Sequence, residues 1–320
     1  MVTIVGIDIG GTKTAVVEGT SEAQIIKRAE IPTNANRAFE RTFPRLAAVV
    51  KDTIDEAQRA GRKVAAISVS VGGPLQMREG VIGDPPHLSG WHGVRLKDRL
   101  DRRFPALPVY LEQDGNAGAL AEFHFGVGRE MPGLRHLVFL TLGTGLGAGI
   151  IVNGQLLRGA CDMAGEIGHM RLSPDGPSGY GKFGSWEGFC SGAGMVDLAR
   201  EMFPQRWGDQ TQISDLVQAI VLNDEDALQV AREAGGWLGR GLALLVDMLN
   251  PEVIVLGSLA VVLGERLLAP ARRTLAEEAL SEAVAACRIV PSALGKQIGD
   301  VASLMAALND PQIRQDVIRS

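Results

Sequence analysis

The sequence predicts an α/β protein made of two duplicated α/β domains, and three observations carry that reading. Helical and strand-like patterns alternate along the chain. A strand, a glycine loop and a second strand occur twice, with Gly143 falling 133 residues after Gly10. The length, 320 residues, makes about two domains at roughly 150 residues each.

Thr3–Ile9 is apolar and β-branched, breaks at Gly10-Gly11 and resumes as Thr14–Glu18, which reads as strand, tight loop and strand. Ala38–Ala60 carries Phe43, Leu46, Ala47, Val50, Ile54 and Ala57 at helical spacing. A strand over Val64–Val71 follows, then a Pro- and Gly-rich run, Gly83–Gly93, expected as a surface loop. Val109–Glu112 reads as a strand feeding a helix that begins near Asn116. Leu137–Leu142, the glycine run Gly143–Gly149 and Ile150–Val152 repeat the opening pattern. Ser173–Ser185 is polar and glycine-rich, a second expected surface loop. Helices over Ser214–Val221, Glu225–Met248, Gly264–Ala279 and Gly299–Leu308, with a buried strand at Val253–Leu256, complete the alternation.

Apolar residues at 46% and charged residues at 22% match soluble globular chains and exclude a fibrous or largely disordered design. Lys and Arg number 32 against 37 Asp and Glu; the net charge of −5 gives no attraction to nucleic acid or an anionic membrane. Cys161, Cys190 and Cys287 are odd in number and lack both a disulfide framework and a CxxC pair, as expected in a reducing cytoplasm. No secretory leader is read at the start of the sequence. Leu137–Leu157 is uncharged, but its five glycines, Thr141, Thr144, Asn153 and Gln155 make it a poor bilayer span.

Forty glycines make backbone contact with a ligand a natural expectation. A glycine loop between strands presents consecutive backbone N–H groups, which suit phosphate oxygens, and two such loops suggest a polyphosphate. Gly143-x-Gly145-x-x-Ala148 also fits a loose dinucleotide fingerprint, yet a strand follows it rather than the helix that fingerprint requires. No Walker A loop occurs.

Asp8-Ile9-Gly10-Gly11-Thr12-Lys13, Leu142-Gly143-Thr144-Gly145-Leu146-Gly147 and Ala164-Gly165-Glu166-Ile167-Gly168-His169 resemble, in order and spacing, motifs of the ROK family of bacterial sugar kinases and repressors. Val71-Gly72-Gly73-Pro74, Glu112-Gln113-Asp114-Gly115-Asn116-Ala117, Trp186-Glu187 and Asn250–Gly257 extend the likeness over nearly the whole chain. The resemblance implies the actin-like, hexokinase-like (ASKHA) fold, two duplicated α/β domains around a central cleft for ATP and sugar. It implies a small N-terminal domain over residues 1–117, completed by a C-terminal helix at about 305–320, and a large domain over 118–304.

Phosphoryl transfer needs positioning, a base for the hydroxyl proton and Mg²⁺ to neutralise phosphate oxygens. Asp114, at a strand end before a helix whose positive end favours a carboxylate, matches the family's catalytic aspartate. In other surroundings it would read as a turn or cap residue. The resemblance makes Gly73, Gln113, Glu166, His169 and Glu187 sugar contacts; Glu166 and His169, three apart, share a face if that piece is helical. It makes Gly10, Gly11, Thr12, Lys13, Gly143, Thr144, Gly145, Gly257 and Ser258 nucleotide contacts, and Asp8 the acidic residue near the Mg²⁺ that ATP carries. Lys13 reads equally as a solvated surface lysine.

Gln113 stands where the family usually has Asn, and Gly257-Ser258 where it often has Gly-Gly. The larger departure is at the family's zinc loop. Ser178, Tyr180 and Ser185 occupy its cysteine positions before Glu187, leaving His169 as the one zinc-type ligand, so no structural zinc is expected. The loop should then be held by packing of Tyr180, Phe183 and Trp186.

The expected activity is therefore ATP- and Mg²⁺-dependent phosphorylation of a primary hydroxyl of a glucose-like hexose in the cytoplasm. A non-catalytic sugar-binding regulator of the same family is the alternative, and a nicotinamide-dependent dehydrogenase the more remote one. DNA binding is not expected, because the first phosphate strand begins at Thr3 and leaves no room for the winged helix of transcriptional members. No membrane partner is expected, and the family's habit suggests a homodimer or higher homo-oligomer. The choice of sugar, and of ATP against polyphosphate, is not legible.

Overall fold

In the computed structural model the described residues are all but Ala35, Asp84, Pro85, Arg319 and Ser320. Asp84 and Pro85, inside the expected Gly83–Gly93 loop, therefore lie outside them. The chain separates into two compact units: Met1–Arg129 with Arg158–Ala164 and Gln297–Ser320, and Glu130–Leu157 with Gly165–Lys296.

The first unit is built on a five-stranded sheet. β1 (Val2–Ile9) turns through Gly10–Thr12 into antiparallel β2 (Lys13–Gly19), which pairs with antiparallel β3 (Ile25–Pro32). On its other side β1 lies parallel to β4 (Lys63–Val71), and β4 parallel to β7 (Val109–Gln113). A small hairpin, β5 (Leu75–Gln76) with β6 (Val81–Ile82), lies between β4 and β7 in the chain. Helix α1 (Phe39–Arg59) buries Phe39, Leu46, Val50 and Ile54 in the core of the sheet's Val5, Ile7, Ile67 and Val69. Helix α2 (Leu96–Arg103) adds Leu96 and Leu100, and α3 (Asp114–Phe125) starts directly from β7. A short helix, α4 (Val127–Glu130), follows.

The second unit repeats the arrangement. β8 (Leu137–Leu142) pairs antiparallel with β9 (Leu146–Val152), β9 antiparallel with β10 (Gln155–Leu156), and β8 runs parallel to β13 (Val253–Leu256), itself parallel to β14 (Arg288–Pro291). The strand orders, β3-β2-β1-β4-β7 and β10-β9-β8-β13-β14, place hairpins and parallel crossovers identically, so the duplication read from the glycine loops extends to whole sheets. β9 begins four residues earlier than Ile150, because Gly147 and Gly149 pair with Thr141 and Phe139 instead of forming loop.

Between β10 and β13 lie a hairpin, β11 (Ser178–Gly179) with β12 (Lys182–Phe183), and four helices. These are α5 (Trp186–Cys190), α6 (Gly192–Met202), α7 (Ile213–Val221) and α8 (Glu225–Leu249). The expected surface loop at Ser173–Ser185 thus contains this hairpin, and Ser185 itself is buried. After β13 come α9 (Leu259–Leu263), α10 (Glu265–Glu278) and α11 (Ser281–Ala286). The core gathers Val138, Leu140, Trp186, Leu238, Leu242, Ile254 and Leu267.

Two closing helices, α12 (Ile298–Leu308) and α13 (Pro311–Ile318), return to the first unit. α12 buries Val301, Leu304 and Met305, and the Ala307 N–H donates to Ser68 Oγ of β4 at 3.1 Å. Its close approach needs Gly6 in β1, where a β-carbon would fall 2.9 Å from a Leu304 methyl. Among the described residues no helix is long and apolar enough to cross a membrane.

Candidate functional site

Strand direction places the first group of residues. Ile9 pairs with Val71 and Val71 with Gln113 in parallel register, so the chain leaves all three strands at the same edge of the sheet. At that edge, the one where parallel strands of α/β sheets commonly carry ligands, stand Gly10, Gly72 and Asp114. Asp114 lies in the first turn of α3, two residues before the expected start, where the helix's positive end favours its carboxylate. Its Oδ1 accepts from the Gly115 N–H at 2.8 Å, and Gly72 leaves open the space beside Oδ2, 3.9 Å from where a β-carbon would sit. Gln113 is buried, and its side chain covers Gly73, which precedes a cis Pro74.

Asp8, partly buried one residue before the end of β1, has its carboxyl pushed up to about 7. Burial is the main cause, the Asp114 and Asp300 carboxylates add to it, and Arg28 and the Ser70 hydroxyl oppose it. Asp300 and Arg28 belong to no motif read from the sequence. α12 brings Asp300 in: Gly299 has no β-carbon, and one placed there would sit 2.6 Å from Asp8 Oδ2. Arg28 of β3 donates to both Asp300 oxygens, at 3.0 and 3.1 Å, and to Glu30 at 2.9 Å. The only sequence signal for Asp300 is its position in the first turn of a helix after a glycine.

In the adjoining turn Gly10 N–H donates to the Lys13 carbonyl at 3.0 Å, leaving Gly11 half-buried and Thr12 exposed at the tip. Lys13 is exposed and pairs with Glu30 at 3.0 Å.

The second unit assembles the other residues in two places. Leu256 pairs with Leu140 in parallel β13 and β8, and the Gly257 N–H donates to the Leu140 carbonyl. The Gly143–Gly145 loop and Gly257-Ser258 therefore share an edge, with Ser258 Oγ 4.0 Å from the place of a β-carbon on Gly143. The loop's carbonyls are tied to the start of α6, Gly192 N–H to Gly143 and Ala193 N–H to Thr144.

Glu166, His169 and Glu187 form the other place. Ile167–His169 is one turn of 3₁₀ helix capped by Glu166, in which residues three apart eclipse. Gly165 allows this turn to meet β9: at φ +98° its carbonyl accepts from Ala148 N–H, and a β-carbon would collide with the Ala148 carbonyl oxygen. Glu187, in the first turn of α5, is buried and accepts from the Leu146 N–H at 2.9 Å. Burial raises its carboxyl above the usual range, the Glu166 charge adds to this, and the Leu146 hydrogen bond opposes it.

The β11–β12 hairpin braces this group. Lys182 Nζ donates to the His169 carbonyl at 2.7 Å, and Tyr180 packs edge-on to the His169 ring with centroids 5.6 Å apart. Ser185 Oγ accepts from Gly188 N–H and Gly179 N–H, each at 3.1 Å, and donates to the Gly179 carbonyl. Aromatic packing contributes less than expected: Trp186 is fully buried, but Tyr180 is half-buried and Phe183 is 65% exposed. Among the described residues no three His, Cys, Asp or Glu side chains are grouped to hold a metal ion.

With this geometry in view, comparison with known proteins is specific. The model of the ROK family matches residues 4–308. Glucokinase from Streptomyces coelicolor is 31% identical over 317 residues, 95% of each chain. A putative xylose repressor from a Caldicellulosiruptor species is 28% identical over 86% of this chain and 70% of its own. Among solved structures, a ROK family glucokinase from Streptomyces griseus in complex with glucose and AMPPNP superimposes with a TM-score of 0.79 at 29% identity. It covers 94% of this chain and 97% of the other.

Proposed function

The chain belongs to the ROK family and has the actin-like, hexokinase-like fold of its kinase relatives, and from that membership we propose that it is a hexose kinase. It transfers the terminal phosphoryl group of ATP to a primary hydroxyl of a glucose-like sugar. The observation that carries this reading is the shared sheet edge bearing Gly10, Gly72 and Asp114, with Asp114 held at the start of α3.

Asp114 acts as general base, taking the proton of the attacking hydroxyl as the oxygen–phosphorus bond forms and ADP departs. In the first unit Gln113 and Gly73 are the proposed sugar contacts, and in the second unit Glu166, His169 and Glu187 are. The proposed nucleotide contacts are the Gly10–Lys13 turn in the first unit and, in the second, the Gly143–Gly145 loop with Gly257-Ser258.

The residues fit a nucleotide-borne Mg²⁺. Asp8 is an acid held near two other carboxylates with Arg28 as its cationic neighbour, and Mg²⁺ usually takes only one or two protein carboxylates besides phosphate and water. Asp8 would hold the ion, which supplies charge neutralisation on the phosphate oxygens.

A panel of hexoses with ATP and Mg²⁺, read by coupled ADP release, tests the proposal; turnover of at least one sugar is expected. A second reading, a sugar-binding regulator without kinase activity, is favoured by the repressor relative and by Gln113 in place of the family's Asn. Sugar binding by calorimetry with no turnover of any sugar would select it.

A further inference from the structure

Four donors converge on one buried carboxylate immediately before Gln113 and Asp114. Glu112 is 2% exposed and accepts from the Gln113 N–H and from Asn116 Nδ2, each at 3.1 Å. It also accepts from Arg158 Nη1 at 3.2 Å and Nη2 at 2.6 Å. Three of these donors meet at Oε1 and Arg158 Nη2 takes Oε2, so the carboxylate is held by partners that each fix a different piece of backbone or side chain. The Gln113 N–H sets the last residue of β7; Asn116 sets the first turn of α3; Arg158 supplies the counter-charge from a distant part of the sequence.

Arg158 opens the segment Arg158–Ala164, which belongs to the first unit although the residues on both sides of it belong to the second. The segment is closed on itself by an Ala164 N–H bond to the Arg158 carbonyl at 3.1 Å, and runs directly into Gly165 and Glu166. Only the carboxylate of this pair is buried, the Arg158 side chain being 35% exposed; such a pair adds little net stability, and a guanidinium fork fixes a carboxylate's geometry more closely than an ammonium does.

We infer that Arg158 is a positioning residue: its forked pair with Glu112 fixes the Gln113–Asp114 turn from which the proposed base projects. The inference rests on the kinase reading for its catalytic consequence, not for its geometry. Removing the fork leaves a buried carboxylate without a cation beside Asp114, and the turn must shift or admit water to solvate it.

The test uses the full chain. In the unliganded protein, Arg158→Met should speed hydrogen exchange of the Gln113 amide roughly tenfold or more and leave Ile7 and Val69 of the neighbouring strands unchanged. In the kinase assay it should lower kcat by about 10–100-fold while the KM for ATP stays within roughly twofold. Arg158→Lys should fall between, and adding Glu112→Gln to Arg158→Met should recover part of the loss by removing the unpaired charge. Arg129→Met, which breaks an exposed pair with Glu22 and a contact with the Phe125 ring but leaves Glu112 and its donors in place, should match wild type.

Wild-type exchange at Gln113 in Arg158→Met would overturn the inference, as would wild-type kcat in an active enzyme even if thermal stability falls. If the wild-type protein phosphorylates no hexose, the kinase reading fails and the exchange data alone judge Arg158. If Arg158→Met does not fold, Arg158→Lys and Glu112→Gln carry the same comparisons.

Discussion

The side chain of Gln113 lies where a β-carbon on Gly73 would have to go: Cδ is 2.8 Å and Cγ 3.1 Å from that point. A glycine at 73 and the longer amide at 113 therefore form one packing unit beside Asp114. Gly73→Ala should displace Gln113 and weaken sugar affinity by roughly tenfold or more, in the range of a lost buried hydrogen bond. Gln113→Asn, one methylene shorter, should tolerate Gly73→Ala and regain much of that affinity. Calorimetry on the two single variants and the double variant checks this; simple additivity of the two losses would break the proposed unit.

Asp114→Asn should keep the fold and sugar binding but lower kcat by at least ~100-fold, the lower range for removing a general base. Asparagine fills nearly the same volume and can still accept from the Gly115 N–H, but it cannot take the hydroxyl proton. Steady-state kinetics beside a thermal melt separate lost chemistry from lost structure, and near-normal turnover would remove Asp114 from the mechanism.

Glu187 should trade stability for recognition. Its carboxyl is raised in the folded state by burial and by Glu166, so folding binds a proton that the unfolded chain releases. The linkage sign is then fixed: the residue costs nothing below the ordinary glutamate range, and stability falls as pH rises through that range and through the raised folded value. Glu187→Gln keeps an acceptor for the Leu146 N–H and removes the charge. Its Tm should exceed wild type at pH 8, by about 2–4 °C for each kcal/mol released, and match it near pH 4, while sugar affinity drops. Equal Tm differences at both pH values would refute the assigned cause.

The parts of the fold legible in the sequence were those in which one signal dominates. Val253–Leu256 is a run of four buried apolar residues with no competing reading, and α1 has an uninterrupted apolar face. β3 escaped because Ile25–Pro32 carries Lys27, Arg28 and Glu30, the charges that suit a sheet edge and disguise a strand. Gly147 and Gly149 concealed the start of β9 by looking like loop. In the candidate site, residues in contiguous motifs could be read, whereas Arg28 comes near Asp8 through the pairing of β3 into the sheet and Asp300 only because α12 returns to it. A contact between residues 272 positions apart leaves no local pattern.

The β11–β12 hairpin braces His169 through Lys182 and Tyr180. The residues at the expected cysteine positions are Ser178, Tyr180 and Ser185, and neutral hydroxyls are weak zinc ligands beside thiolate or imidazole. Ser185 does a different job. Its buried hydroxyl caps α5 through Gly188 N–H and simultaneously holds both polar groups of Gly179 in β11, linking helix to hairpin by hydrogen bonds. Ser185→Ala leaves two buried N–H groups unpaired and removes a helix cap, which together should cost about 2–4 kcal/mol. The consequence for function follows from what the hairpin carries: Tyr180 against the His169 ring and Lys182 on the His169 carbonyl. Loosening it should weaken sugar affinity more than nucleotide affinity, because the Gly143–Gly145 loop is tied to α6 by its own hydrogen bonds. Elemental analysis of protein purified without chelator should find far less than one zinc per chain, and a zinc-selective chelator should leave wild-type sugar affinity unchanged. One tightly held zinc per chain, or a Ser185→Ala variant with unaltered stability and sugar affinity, would show that metal or packing, not this hydroxyl, holds the loop.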